Sequence, residues 1–265
     1  MRLFQCSYID NAVVEIDSMD ENQKISIVTP SYNHGKFIER TILSIKNQNY
    51  QNYEHIVVDG ESTDETNNIL KKYPEIVCLT KKSNQSNALN TGFKLAKGDI
   101  IGWISSDDIY VPGAFETAIK YLTEHQEVDL VYTDCNFIDE NDKVIGNWHT
   151  APFSYFRNLN YAQMIPQPTA FFRKTVFEKA GYIDENLNYG MDYDFFIRVS
   201  KKCKIDYIPN KIFANFRVHS SSKTMSHREK FEPEIIKIRT KYGAIIPYFA
   251  IKTIQNIVGR IKKRI

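Results

Sequence analysis

The sequence predicts an α/β protein with a mostly parallel sheet, helices on both faces and a C-terminal helical extension. Three observations predict it. Short apolar runs of strand length alternate with segments whose apolar residues recur at helical spacing, from Ile25 to Tyr132. The alternation is regular, strand then helix, which is the order that builds parallel sheets. Polar stretches fall just past the carboxyl ends of strands, where open α/β sheets bind ligands.

The elements follow in order. Ile25–Thr29 reads as a buried strand stopped by Pro30, and residues 30–35 read as a loop. Phe37, Ile38, Thr41, Ile42 and Ile45 form one face of a helix. Tyr53–Val58 is the second strand and ends at Asp59-Gly60. Ser62 and Glu65 have the spacing of a capping box, opening a helix through Leu70. Ile76–Thr80 is a third strand, and Ala88, Leu89, Phe93, Leu95 and Ala96 mark a helix with Gly98 as its C-cap. Asp99–Ile104 is a central buried strand, followed by the polar turn Ser105–Asp108. Pro112 and Gly113 announce a helix over Phe115–Glu124, and Val128–Tyr132 is another strand.

In the second half, residues 149–160 read as a connection and Met164–Pro168 as a rigid loop. Thr169–Phe172 is a strand, and Thr175–Ala180 is a short helix closed by Gly181. Asp192–Val199 is a helix. Ile205–Ile208 and Ile212–Val218 are strands, the second ending at His219. Ile251, Ile254, Ile257, Val258, Ile261 and Ile265 form a helical stripe beside a basic tip of Lys252, Arg260, Lys262, Lys263 and Arg264. That pattern suits a helix lying on an anionic membrane face, or one packed on the domain with a solvated basic end.

Composition sets bounds on the function. The 265 residues are 42% hydrophobic and 25% charged, which are ordinary globular values. A net charge of +2 does not imply nucleic acid. Cys6, Cys78, Cys135 and Cys203 are far apart, against a zinc site or disulfide framework and in keeping with a reducing cytosol. No apolar run has the length of a membrane span, and residues 1–23 lack a signal-peptide pattern.

Asp107 and Asp108 carry the sharpest chemical signal. Two adjacent carboxylates repel unless a cation joins them, although an acidic pair can also be a solvated turn. Asp59 is placed to accept from a base or a ribose, or is a turn residue before glycine; Tyr32 stacks on a flat ring or is a core aromatic. Within the 192–199 helix, Asp192 shares a face with Phe195, Phe196 and Val199, where a carboxylate needs a reason: a cap or a function. Asp194 faces Arg198 one turn on, a usual solvated pair.

Together these motifs resemble a family 2 glycosyltransferase of GT-A fold. The resemblance runs from about Ile25 to His219 and rests on T-P-S-Y-N (29–33), V-D-G-E-S-T-D (58–64) and S-D-D (106–108) at family spacing. It implies that Pro30, Tyr32 and Asp59 hold the nucleotide, and that Asn87 lies in the nucleotide-side loop. It implies that Asp107 and Asp108 take the donor, with Mg²⁺ or Mn²⁺ on Asp108. M-D-Y-D-F-F (191–196) resembles the family's E-D-x-D-L-W, which makes Asp192 the catalytic base, with Met191 in place of the Glu. F-R-V-H (216–219) resembles Y-R-x-H, which sends His219 to the diphosphate or its cation, whereas His34, His55, His125, His149 and His227 match no such element.

The implied activity is inverting transfer from a nucleotide sugar, most simply a UDP-sugar, to a saccharide or lipid-linked acceptor in cell-surface polysaccharide synthesis. A cytoplasmic enzyme at the inner membrane face follows, with the C-terminal helix as a peripheral contact and nucleic acid excluded as a partner. The expected organisation is an N-terminal extension (1–24), a transferase domain (25–220) divided near 134 into nucleotide and acceptor halves, and a helical region (221–265). Two other classes are weighed. A sugar-nucleotide pyrophosphorylase needs a glycine-rich signature after the first strand, which residues 29–33 lack; a non-catalytic binding module predicts loss of the acids, which are present.

Overall fold

A computed structural model describes residues 23–223 and 228–251. The isoleucine stripe beyond Ile251, its basic tip and the N-terminal extension lie outside those residues, apart from residues 23 and 24. One nine-stranded sheet organises the chain, in the order β3-β2-β1-β4-β8-β6-β9-β5, with β7 paired to β6. The strands are β1 (Ile25–Ser31), β2 (Tyr53–Asp59), β3 (Val77–Thr80), β4 (Ile100–Trp103), β5 (Ile109–Tyr110), β6 (Leu130–Ile138), β7 (Val144–Trp148), β8 (Phe171–Arg173) and β9 (Ile205–Arg217). The ladders β1–β2, β1–β4, β2–β3 and β6–β9 are parallel, while β8, β5 and β7 run against their neighbours. The sheet is therefore mostly parallel, with helices covering both faces.

The helices are α1 (Ile38–Lys46), α2 (Thr66–Leu70), α3 (Gln85–Leu95), α4 (Ala114–Glu124), α5 (Tyr155–Asn160), α6 (Val176–Ala180), α7 (Met191–Ser200) and α8 (Arg228–Lys241). One face packs α3, α6 and α7 onto Val28, Ile56, Trp103 and Tyr132 through Phe93, Phe177, Phe195 and Phe196. The other packs α4 onto Ile25, Ile27 and Val131 through Phe115, Ile119 and Leu122. Each of these side chains is buried, and full burial of a residue of that size contributes about 1.5–3 kcal/mol. At Gly92 the close approach of α3 to β1 requires glycine, because a Cβ there would lie 2.4 Å from Val28 Cγ1.

Several expected boundaries move, for physical reasons. Gly98 is not the α3 C-cap: α3 ends at Leu95, and Gly98 gives its N–H to the Ser26 hydroxyl, with no room for a Cβ against Lys24 O. Ser62 and Glu65 form no capping box, since the Ser62 hydroxyl is committed to Asp59. The two expected last strands are one, β9, which continues past a bulge where Asn210 takes φ 59°. Three elements were not expected, the first being the short strand β5 after the acidic turn. The β6–β7 hairpin extends β6 past residue 134, and α5 interrupts the 149–160 connection, capped by Ser154 Oγ accepting from Arg157 N. The three described cysteines are free thiols.

Candidate active site

The loops after β1, β2 and β4 meet at the carboxyl edge of the parallel strands. Pro30 is buried within β1, opposite Val58 of β2, and Tyr32 beyond it is 60% exposed. Asp59 closes β2 and is fully buried. Its carboxylate accepts Ser62 N–H at 2.8 Å and the Ser62 hydroxyl at 2.5 Å. That hydroxyl in turn accepts Asn33 N–H at 2.8 Å, so Asp59 knits the two loops that frame Tyr32. Asn87, in the first turn of α3, donates to Glu185 Oε2 at 2.8 Å, and Asn90 donates to Oε1 at 2.9 Å. Glu185 thereby staples the 183–187 loop onto the start of α3.

The acidic turn is buried rather than solvated. Asp108 is 1% exposed and Asp107 9%. Asp108 Oδ1 accepts Arg217 N–H at 2.8 Å, while its Oδ2 is buried with no hydrogen-bond partner. Burial and the adjacent Asp107 charge push Asp108 well above the usual carboxylate range, against the opposing pull of Arg217. Asp107 Oδ2 meets His219 Nε2 at 3.0 Å, and His219 Nδ1 meets Ser221 Oγ at 2.9 Å. Arg217 is fully buried: Nε donates to Asp107 O and Nη1 to Asp139 O, both at 2.7 Å, and Nη2 ion-pairs with Asp142 Oδ1 at 2.5 Å. Its guanidinium sits over the Phe37 ring.

His34 also belongs here, although its sequence context gave no signal. Its Nδ1 meets Ser106 Oγ at 2.7 Å, and its ring lies 6.2 Å from that of His219. The missed cue was position: His34 directly follows T-P-S-Y-N, at the same sheet edge as S-D-D. Arg217 stands in the sequence as the second residue of F-R-V-H, where the resemblance gives a role to His219 alone.

The donor set fits a divalent cation. Carboxylate oxygens dominate, one of them orphaned in the interior, with an imidazole beside them. Among the described residues no group of three or more acidic, His or Cys side chains forms a complete cage.

Asp192 occupies the first turn of α7, on the sheet face that carries the Phe93–Trp103–Phe195 core. It is half-buried, unlike the fully buried Phe195, Phe196 and Val199. Oδ2 accepts from Gln163 Nε2 at 2.8 Å and Oδ1 from Tyr193 N–H at 2.9 Å. Burial raises its pKa above the usual value, and the two hydrogen bonds and the charge of Lys223 restrain the rise. The helix cap is Gly190, so Asp192 is not the N-cap. Met191 is buried in the core.

Asp194 is not the solvated residue that its spacing predicts. It does pair with Arg198, at 2.7 Å, but it is fully buried and also meets Lys241 Nζ at 3.0 Å and Tyr242 OH at 2.8 Å. Burial alone would raise its pKa; Arg198, Lys241 and Tyr242 outweigh that and hold it low.

A model of glycosyl transferase family 2 matches residues 26–181. This chain is a family 2 glycosyltransferase. An uncharacterized glycosyltransferase of Rickettsia prowazekii is 30% identical over 219 residues, covering 78% of this chain and 68% of the relative. Chondroitin synthase of Escherichia coli is 28% identical over 206 residues, 76% of this chain but only 30% of the synthase. Among solved structures, S. aureus TarS in complex with UDP-GlcNAc superposes with a TM-score of 0.64 at 20% identity, covering 86% of this chain and 69% of TarS. A Pyrobaculum calidifontis mannosyltransferase in complex with GDP-Man and Mn²⁺ gives 0.62 at 17% identity, with 85% and 66% covered. The glycosyltransferase thus has the GT-A fold and acts on a nucleotide sugar.

Proposed function

We propose that this glycosyltransferase moves a sugar from a UDP-sugar to a saccharide or lipid-linked acceptor with inversion, in the building of a cell-surface polysaccharide. The observation that carries the reading is the buried acidic pair, in which Asp108 keeps one oxygen without a hydrogen-bond partner, beside a half-buried carboxylate on α7. Asp108, Asp107 and His219 would hold Mg²⁺ or Mn²⁺ with the donor diphosphate, and the cation would supply neutralisation of the leaving charge. Tyr32 and the Asp59 loop would seat the nucleotide, with Asn87 beside it.

The chemistry assigned to this chain's own residues is simple. The acceptor hydroxyl oxygen attacks the anomeric carbon, and the bond from that carbon to the diphosphate oxygen breaks. The hydroxyl proton passes to the Asp192 carboxylate, oriented by Gln163 and the Tyr193 N–H. One displacement inverts the anomeric centre, so base and leaving group lie on opposite sides of the sugar. The partition into nucleotide and acceptor halves belongs to this reading.

A peripheral membrane contact is part of the same proposal. No described helix is long and apolar enough to cross a membrane. Ile245 and Phe249, each 73% exposed, precede the isoleucine-rich basic end and support attachment to an anionic inner face.

The test is nucleoside diphosphate release with UDP- and GDP-sugars against oligosaccharide and lipid-linked acceptors, with product configuration read by NMR. An inverted linkage and a preference for uridine are expected. A retained anomeric configuration would overturn the mechanism, and a preference for guanosine the donor.

A further inference from the structure

Asparagine is depleted in strands, because its short amide competes with the backbone and packs poorly on a pleated face. Yet three asparagines stand in one register line across the sheet extension. Asn136 of β6 pairs with Asn147 of β7 on one side and Asn215 of β9 on the other. Asn215 in turn pairs with Ile109 of β5, the residue directly after Asp108. Asn147 Nδ2 donates to Asn136 Oδ1 at 2.6 Å, and Asn136 Nδ2 donates to Asn215 Oδ1 at 2.8 Å.

The amides therefore point one way along the row. Asn147 ends it with a carbonyl oxygen and Asn215 with an NH₂ group, on a surface where Asn147 is exposed and Asn136, Asn215 and Ile109 are half-buried.

The row lies on the face that carries the base. Tyr132, Asp134 and Asn136 alternate along β6, and Tyr132 is packed in the α7 core. Asp134 Oδ1 accepts Thr150 N–H at 3.0 Å, the Thr150 hydroxyl donates to Met164 O at 2.5 Å, and the adjacent Gln163 holds Asp192. One end of the row abuts the acidic turn, and a short chain of contacts leads to the base from Asp134, two residues before its middle.

We propose that the Asn147–Asn136–Asn215 row, with Ile109, is a subsite for the acceptor, and that the acceptor is a pyranose saccharide. The row rests on the saccharide-acceptor reading above and adds the residues that would recognise it. Sugar hydroxyls donate and accept at once, and a polarised amide row offers both. Ile109 gives the apolar C–H face of a ring a place to lie. Two strand spacings set the length of the row at about 10 Å, enough for more than one hydroxyl pair.

The test uses the full chain with UDP-sugar and Mn²⁺, and offers maltotriose, cellotriose, N-acetylchitotriose and N-acetyllactosamine. With the saccharide that is extended, Asn147→Ala and Asn215→Ala should each raise acceptor KM about three- to tenfold, the scale of one lost hydrogen bond, more than they change kcat. UDP affinity checks that the variants are folded. The side-chain amide resonances of Asn147 and Asn215 in the wild type should shift with that saccharide, a readout that needs no substitution. An unchanged acceptor KM in both variants, or unmoved amide resonances, overturns the subsite and leaves the transferase reading standing. Transfer only to a non-saccharide acceptor overturns the acceptor reading and the subsite together.

Discussion

The turn at Ser105–Asp108 and the first turn of α7 each carry two acids, and they compensate them differently. In α7, Asp194 is fully buried and gathers Arg198, Lys241 and Tyr242, which hold it ionised. In the acidic turn, Asp108 is equally buried but receives one backbone N–H, and its second oxygen has no hydrogen-bond partner. Asp192 lies between these extremes, half-buried and held by one amide and one N–H. Burial alone does not separate structural from functional carboxylates here. The supply of partners separates Asp194 from Asp108: three charged or hydroxyl groups meet the first, and one oxygen of the second meets none.

The strongest challenge to this contrast is at Asp108. Asp108→Asn keeps the shape and removes the charge. Donor affinity in Mn²⁺ should fall by roughly 100-fold or more, beyond the usual cost of losing an outer-shell partner. Thermal stability should not fall, because Asn keeps an acceptor for the Arg217 N–H and burial already disfavours the ionised acid. Full wild-type turnover in excess EDTA would contradict the cation assignment.

Asp192→Asn comes next. Turnover should drop by about 10²- to 10⁴-fold with donor affinity retained, the usual contribution of a general base. Asp194→Ala should do the converse. It breaks a buried network, a loss of about 3–5 kcal/mol that we discount to roughly 2 kcal/mol because Lys241 is half-exposed. A melting temperature lower by roughly 4–8 °C is expected, with kcat much less affected than in Asp192→Asn. The pH sign is fixed by the lowered pKa. Asp194 contributes stability above the ordinary carboxylate value of 3.8, and the contribution is lost as pH falls through the folded-state pKa. Calorimetry from pH 7 downward should therefore show wild type and variant converging in acid. Equal kinetic losses in the Asp192 and Asp194 variants would erase the distinction.

The smallest expected effect is at Gln163. Its amide lowers the pKa of Asp192, so Gln163→Leu should move the acidic limb of the pH–rate profile upward, with turnover recovered at higher pH. An unmoved limb would assign Gln163 to the fold alone.

The first half of the chain, through the acidic turn, was far more legible in the sequence than the second. Buried parallel strands write themselves as apolar runs, so β1, β2 and β4 and the loops they carry were readable, and S-D-D and V-D-G-E-S-T-D fell where a sheet edge puts them. Asp194 was misread because helical spacing pairs it with Arg198 but says nothing of Lys241 and Tyr242, which arrive from the far end of α8. Ser62 was misread as a cap because its partner is Asp59, in the strand before it. The β6–β7 hairpin escaped because its residues, Val144–Trp148, are largely exposed and carry no strong apolar alternation. The asparagine row is visible only once register is known. His34 escaped because proximity to Ser106 is a fact of topology, not of spacing.

The start of α7 is held from behind by α8. Glu234 accepts the backbone N–H groups of Asn188 at 2.9 Å, of Gly190 at 2.7 Å, and of Tyr189 between them. Ile235 and Ile238 lie so close that a Cβ on Gly190 would come within 3.0 and 2.6 Å of them. Chains emerge from the ribosome N-terminus first, at roughly 5–20 residues per second. The nucleotide loops, the acidic turn and His219 therefore all emerge before Glu234 does. On the reading proposed above, a chain stopped before Glu234 keeps the acidic turn and His219 but lacks the three hydrogen bonds that hold the start of α7.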